Sequence, residues 1–125
     1  MHYSTESMAI ASCKKGGLLR HVGILLPNGM VAHCSPQYGE HLSTVEQFAS
    51  GHDVTIDELI ERSQWGSVLH RLNRILLTPS KYHAVTNNCE VFINRVLARQ
   101  PTSPQAQGVL LVLSLLALVG FASAQ

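Results

Sequence analysis

Only three residues, Pro27-Asn28-Gly29, separate two β-prone runs, Leu18 to Leu26 and Met30 to Ser35. That spacing constrains the fold more than any other feature, because loop length sets strand register and register decides which side chains share a face. An Asn-Gly pair alone suits a two-residue hairpin turn. Pro27 changes the reading: its φ near about −65° fits the first central position of a type I turn, with Asn28 next and Gly29 able to take a left-handed conformation. The result is a three-residue loop with a bulge. Leu26 then closes on Met30, Gly23 faces His33 and His21 faces Ser35. On this register His21 and His33 point to one face, a diagonal step apart; a two-residue turn would send them to opposite faces.

A second local signal lies at Thr86-Asn87-Asn88-Cys89-Glu90-Val91-Phe92-Ile93. Asn88 is a good helix N-cap, and Glu90 adds negative charge where the helix dipole favours it. Cys89, Phe92, Ile93, Val96 and Leu97 then form one continuous apolar face, with Asn94 and Arg95 on the solvated side. A thiol on the first turn sits in the field of the helix-start N–H groups, which favours thiolate. The alternative is a small hydrophobe opening an ordinary core helix. Cys13, Cys34 and Cys89 are odd in number and match no metal-binding spacing, so no disulfide scaffold is expected and a reducing compartment is the default.

Taken singly, His21 and His33 read as hydrogen-bonded packing residues. Together with Cys89 they open two further readings. One is a three-ligand zinc site, which lacks a carboxylate or second thiol spaced to complete it. The other is a Cys-His-His arrangement, in which one imidazole takes the thiol proton and the second holds the first in its working tautomer. The second reading needs no metal and no cofactor. His2, His41, His52, His70 and His83 stand in polar or helical contexts and are given no special role.

Arg20-His21-Val22-Gly23-Ile24, Asn28-Gly29-Met30-Val31-Ala32-His33 and Asn88-Cys89-Glu90-Val91-Phe92-Ile93-Asn94 resemble the three signature blocks of the lecithin–retinol acyltransferase-like family. That family is a circularly permuted branch of the NlpC-type, papain-like thiol hydrolases. The resemblance covers about residues 8–98 and keeps the permuted order, His then His then Cys. It implies Cys89 as nucleophile, His21 as general base and His33 as the orienting third member. Ser43 to Gly51 looks like the short helix that bacterial members carry after the hairpin, and Ser43 with Glu46 fits a capping box. Val91 replaces the His usual after Asn-Cys-Glu in the animal enzymes, and Leu19-Arg20 replaces the aromatic residue before the first His; Val91 suggests a bacterial or phage-like member. Arg20 and Asn88 are the candidate polar contacts for an oxyanion or substrate, Arg20 being otherwise a solvated side chain.

The remainder fits an α+β fold: a small antiparallel sheet packed on the helix that carries Cys89. Val54-Thr55-Ile56 is a short β-prone run. The spacing of Val68, Leu69, Leu72, Ile75 and Leu76 predicts a helix over about Ser67 to Leu77, ended by Thr78-Pro79-Ser80. Tyr82 to Thr86 reads as extended. After Arg99 no charge recurs, and 106–123 is nearly all apolar, with leucines on every side of the helix it would form. Its length, about 17–19 residues, reaches the lower limit for crossing the hydrocarbon layer. The expected division is a tail at 1–7, a domain at 8–100, a linker at 101–105 and a transmembrane tail anchor at 106–123. Arg95 and Arg99 on the near side place the domain in the cytoplasm by the positive-inside rule. Met1 to Gly17 is polar and does not read as a signal peptide. A net charge of +1 without a basic cluster leaves no footprint for nucleic acid, and nothing fixes an oligomeric state.

The expected activity is that of a membrane-tethered thiol hydrolase or acyltransferase, phospholipase-like, passing through an acyl-thioester on Cys89. A membrane lipid or acyl ester would be the substrate, since tethering raises its local concentration. The alternatives are a cysteine amidase or peptidase on peptide or isopeptide bonds, and a non-catalytic binding domain.

Overall fold

The computed structural model of the chain describes residues 7–16, 19–84, 86–99 and 105. Five strands, β1 (Ala9–Gly16), β2 (Leu19–Leu25), β3 (Val31–Ser35), β4 (Gly39–Ser43) and β5 (Thr55–Leu59), form one sheet in the order β4-β3-β2-β1-β5, with antiparallel neighbours throughout. Among the described residues three α-helices, α1 (Val45–Ala49), α2 (Trp65–Leu77) and α3 (Cys89–Val96), and a 3-10 turn at Arg62–Gln64 pack with the sheet. This is the α+β arrangement read from the sequence. The apolar run 106–123, and residues 1–6 and 101–104 of the expected tail and linker, lie outside the described residues. Among the described residues no helix is long and apolar enough to cross a membrane.

The hairpin closes through the expected loop. The Leu26 N–H donates to the Met30 carbonyl at 2.8 Å and the Gly29 N–H to the Leu26 carbonyl at 2.9 Å. Gly29 has φ +84°, the left-handed region that a side chain would strain. Asn28 Oδ1 accepts the Met30 N–H at 3.0 Å, fixing the exit of the turn. Ile24 pairs with Ala32 and Leu25 with Val31, the register that three loop residues require.

Strand alternation gives the sheet two apolar faces. Ile10, Ile24, Leu26, Ala32 and Cys34 meet Val68 and Leu72 of α2 and Phe92, Ile93 and Val96 of α3 in the larger core. Ala11, Cys13, Leu25 and Val31 meet Phe48 of α1 on the opposite face. α2 starts two residues earlier than the sequence pattern suggests. The Trp65 indole N–H donates to the Ile60 carbonyl at 2.9 Å and anchors its first turn. Of the predicted α2 stripe, Val68 and Leu72 are buried, Ile75 and Leu76 half-buried, and Leu69 is exposed.

Three local expectations are corrected. The capping box of α1 is Thr44 with Gln47, one residue later than Ser43 with Glu46: Gln47 N–H donates to Thr44 Oγ1 at 3.1 Å and Thr44 N–H to Gln47 Oε1 at 3.0 Å. Ser43 closes β4 instead, so its hydroxyl points into the sheet face. The segment before α3 is a tight turn, not an extended run, with His83 and Asn87 exchanging backbone hydrogen bonds at 2.9 and 3.0 Å. Asn87 Nδ2 donates to the Lys81 carbonyl at 2.9 Å and Asn88 Nδ2 to the Ala84 carbonyl at 2.9 Å. Such side-chain bonds to nearby carbonyls stabilise a turn against an extended alternative. Leu97 caps α3 and is not part of its body.

Candidate active site

Strand register brings the two imidazoles together. Cys13 lies opposite His21 across β1–β2, and His41 opposite His33 across β3–β4. The β2–β3 ladder covers Ile24↔Ala32 and Leu25↔Val31. Beyond it, His21 Nε2 and His33 Nδ1 stand 2.8 Å apart, within one hydrogen bond. Both residues are buried, and their rings meet edge to face at 76° with centroids 4.9 Å apart. Phe48 of α1 floors the pair, its ring centroid 5.0 Å from His21 and 5.1 Å from His33. Gly23 makes room for that floor: a Cβ there would stand 2.7 Å from Val31 Cγ1 and 2.9 Å from Phe48 Cε2.

Two neighbours escaped the sequence reading. Ser43 Oγ lies 2.8 Å from His33 Nε2 and is buried. Its own proton goes to the Thr44 carbonyl at 3.0 Å. His41, whose ring stands 4.2 Å from that of His33, donates through Nδ1 to the Gly39 carbonyl at 2.9 Å. Burial, then the neighbouring His21 and His41, push His33 down to about 3 from an ordinary 6.5. His33 is therefore neutral at physiological pH. The signal for Ser43 was its parity with His33 once β4 pairs with β3, but β4 (Gly-Glu-His-Leu-Ser) has little strand propensity to announce it.

Cys89 is buried and opens α3, with Asn88 as N-cap as expected. Asn88 Oδ1 accepts the Glu90 and Val91 N–H groups, each at 3.0 Å. With Oδ1 on the helix start and Nδ2 on Ala84, the Asn88 side chain holds the turn that carries the thiol. α3 packs against β2 and β3 from the face opposite the imidazoles. Its N-terminus reaches the same end of the sheet. Cys34, next to His33, donates to the Asn87 carbonyl at 3.4 Å. Burial pushes the Cys13 thiol up, Arg20 pulls it back, and Cys89 adds to the rise, so Cys89 is felt at the residue paired with His21.

Arg20 braces the sheet. Its guanidinium donates to Ser12 Oγ at 2.9 and 3.1 Å and to Thr55 Oγ1 at 3.3 Å, and it borders a shallow cavity of about 280 Å³ with Lys14, His52 and Asp53. Its backbone binds Gln105 twice: the Arg20 N–H donates to Gln105 Oε1 at 3.0 Å and Gln105 Nε2 donates to the Arg20 carbonyl at 3.1 Å. The Gln105 N–H also reaches Glu90 Oε1 at 3.1 Å. Residue 105 is thus fastened beside His21 and beside Cys89.

An open groove of about 670 Å³ runs over the imidazole side, lined among others by His33, Tyr38, His41, Leu42, Ser43 and Gln47. Among the described residues no group of three or more His, Cys, Asp or Glu is arranged to hold a metal ion. The ring nitrogens His21 Nε2 and His33 Nδ1 are turned on each other. No protein-family model, no curated protein and no solved structure matches the chain.

Proposed function

We propose that this chain is a thiol hydrolase or acyltransferase of the permuted papain-like kind, with Cys89 as nucleophile, His21 as base and His33 as the residue that orients it. The observation that carries the reading is the 2.8 Å contact between two buried imidazoles, one of them held neutral, at the end of the sheet reached by the N-terminus of α3. A neutral His33 accepts a hydrogen bond from His21 and steadies the imidazolium that forms when His21 takes the thiol proton. The Cys89 thiolate then adds to an ester carbonyl, with the Cys89 backbone N–H as first oxyanion donor. Collapse expels the alcohol, which takes the proton from His21 and leaves an acyl-thioester. Water or an acceptor amine or alcohol, deprotonated by His21, attacks the thioester and regenerates the thiol. The apolar run 106–123 favours a membrane lipid as acyl donor and a tail-anchored domain on the cytoplasmic side.

The test is the intact mass of the full chain in mixed phospholipid vesicles, with Cys89→Ala as control. An acyl-sized gain that hydroxylamine removes and Cys89→Ala abolishes is the expected result. The absence of both the adduct and fatty-acid release would sink the lipid reading. The second reading, amide hydrolysis, draws on the polar lining that Gln37, Ser43 and Gln47 give the groove, and it would then be tried with peptide and isopeptide substrates.

A further inference from the structure

We infer that Ser43 is a positioning residue: through His33 its hydroxyl fixes the tautomer of His21, and so decides which nitrogen of the proposed base carries a lone pair. Three contacts in a row fix where each proton lies. A serine hydroxyl has one proton to give, and that of Ser43 goes to the Thr44 carbonyl at 3.0 Å. Toward His33, therefore, Ser43 Oγ acts only as an acceptor, and the 2.8 Å contact requires the proton on His33 Nε2. A neutral imidazole protonated at Nε2 has its lone pair at Nδ1. The 2.8 Å contact between His33 Nδ1 and His21 Nε2 is then donated by His21. Neutral His21, protonated at Nε2, keeps its lone pair on Nδ1, which is buried in the site.

The two tautomers of a free imidazole lie close in energy, so a single buried hydrogen bond is enough to select one. The anchor is rigid. Ser43 ends β4 opposite Val31, and the next residue, Thr44, is locked as the N-cap of α1 by its reciprocal bonds with Gln47. The Thr44 carbonyl that takes the serine proton also accepts the first helical bond, from Phe48 at 3.0 Å, and Phe48 floors both rings. Of the two overlapping capping boxes in this sequence, the one observed leaves the Ser43 hydroxyl in the imidazole chain.

The tautomer assignment stands on geometry alone; its effect on Cys89 rests on the function proposed above, and the experiment separates the two. Full-length protein labelled with ¹⁵N-histidine gives side-chain proton–nitrogen correlations at pH 7.5 that distinguish Nδ1–H from Nε2–H. The expected result is Nε2–H at both His21 and His33 in the native protein. Ser43→Ala should move His33, His21 or both to Nδ1–H or to a mixture, and Ser43→Thr, which keeps the hydroxyl, should restore the native pattern. Nδ1–H at His33 in the native protein would overturn the inference without any variant folding. So would an unchanged pattern in a folded Ser43→Ala. The second readout is the iodoacetamide rate at Cys89, resolved by peptide mass spectrometry across pH 5–9. A roughly tenfold loss near neutrality in Ser43→Ala, recovered in Ser43→Thr, completes the coupling. A tautomer switch with an unmoved Cys89 profile would uphold the Ser43 assignment and overturn the role proposed for His21.

Discussion

The Glu40 carboxylate and the Arg95 guanidinium lie 2.7 Å apart, the first wholly buried and the second 37% exposed. Glu40 also takes the Ser80 N–H at 2.6 Å, and Arg95 reaches Asn87 Oδ1 at 3.3 Å. One buried carboxylate thus joins β4, α3 and the segment after α2, and Arg95 extends the network to the turn that precedes Cys89. Removing it leaves the guanidinium with Asn87 and solvent, and leaves the Ser80 N–H without its acceptor. Glu40→Ala should cost about 2 kcal/mol, a fall of roughly 10 °C in Tm. Thermal unfolding followed by circular dichroism measures it, and a change under 1 kcal/mol would show that the network is dispensable.

His33 makes stability depend on pH, with a definite sign. Its pKa falls from 6.5 to about 3 on folding, so below 6.5 the unfolded chain binds a proton that the native state refuses. The stabilisation is full above pH 6.5 and drains as pH falls toward 3, by up to about 1.4 kcal/mol per unit. Urea unfolding at pH 7.5, 5.5 and 4.5 should show that slope, and His33→Asn should flatten it. Equal slopes in the two proteins would refute the assignment to His33. Glu58, held low by Arg99, pulls in the same direction only below its ordinary 4.5, so it adds nothing to the slope in the upper part of the window, and the comparison with His33→Asn assigns that slope.

Gly23→Ala places a methyl group 2.7 Å from Val31 Cγ1 and 2.9 Å from Phe48 Cε2. The strand and the aromatic floor must both yield, at a cost of about 1–3 kcal/mol. Because Phe48 supports both rings, the variant should also broaden the histidine side-chain resonances. Native-like stability and spectra would mean that the contact relaxes without consequence.

Asn88→Ala deprives the Glu90 and Val91 N–H groups of their acceptor and should cost about 1 kcal/mol, while Asn88→Asp should keep most of it. If the helix start sets thiol reactivity, alkylation of Cys89 should slow in Asn88→Ala and not in Asn88→Asp. Identical rates in all three proteins would separate the cap from the thiol.

Sequence logic reached the parts of this fold that short-range chemistry specifies. Pro27-Asn28-Gly29 determines its own loop length, and the loop determines that His21 and His33 share a face. Asn88 and the spacing of Phe92, Ile93 and Val96 determine α3 in the same way. β1 and β4 were not legible. Ser12-Cys13-Lys14-Lys15 and Gly39-Glu40-His41 carry weak strand propensity, and these segments become strands by pairing with the hairpin on either side. Ser43 and His41 were missed for the same reason, since their nearness to His33 exists only once β4 is in register. The choice between the Ser43 and Thr44 caps was open locally, and tertiary structure made it.

Gln105 has a mechanical consequence. Its side chain grips both backbone groups of Arg20 and its N–H holds the Glu90 carboxylate, so this one residue ties the neighbour of His21 to the neighbour of Cys89. Any force applied through Gln105 enters the domain at the start of β2 and the first turn of α3. The load path therefore crosses the candidate site before it meets the core.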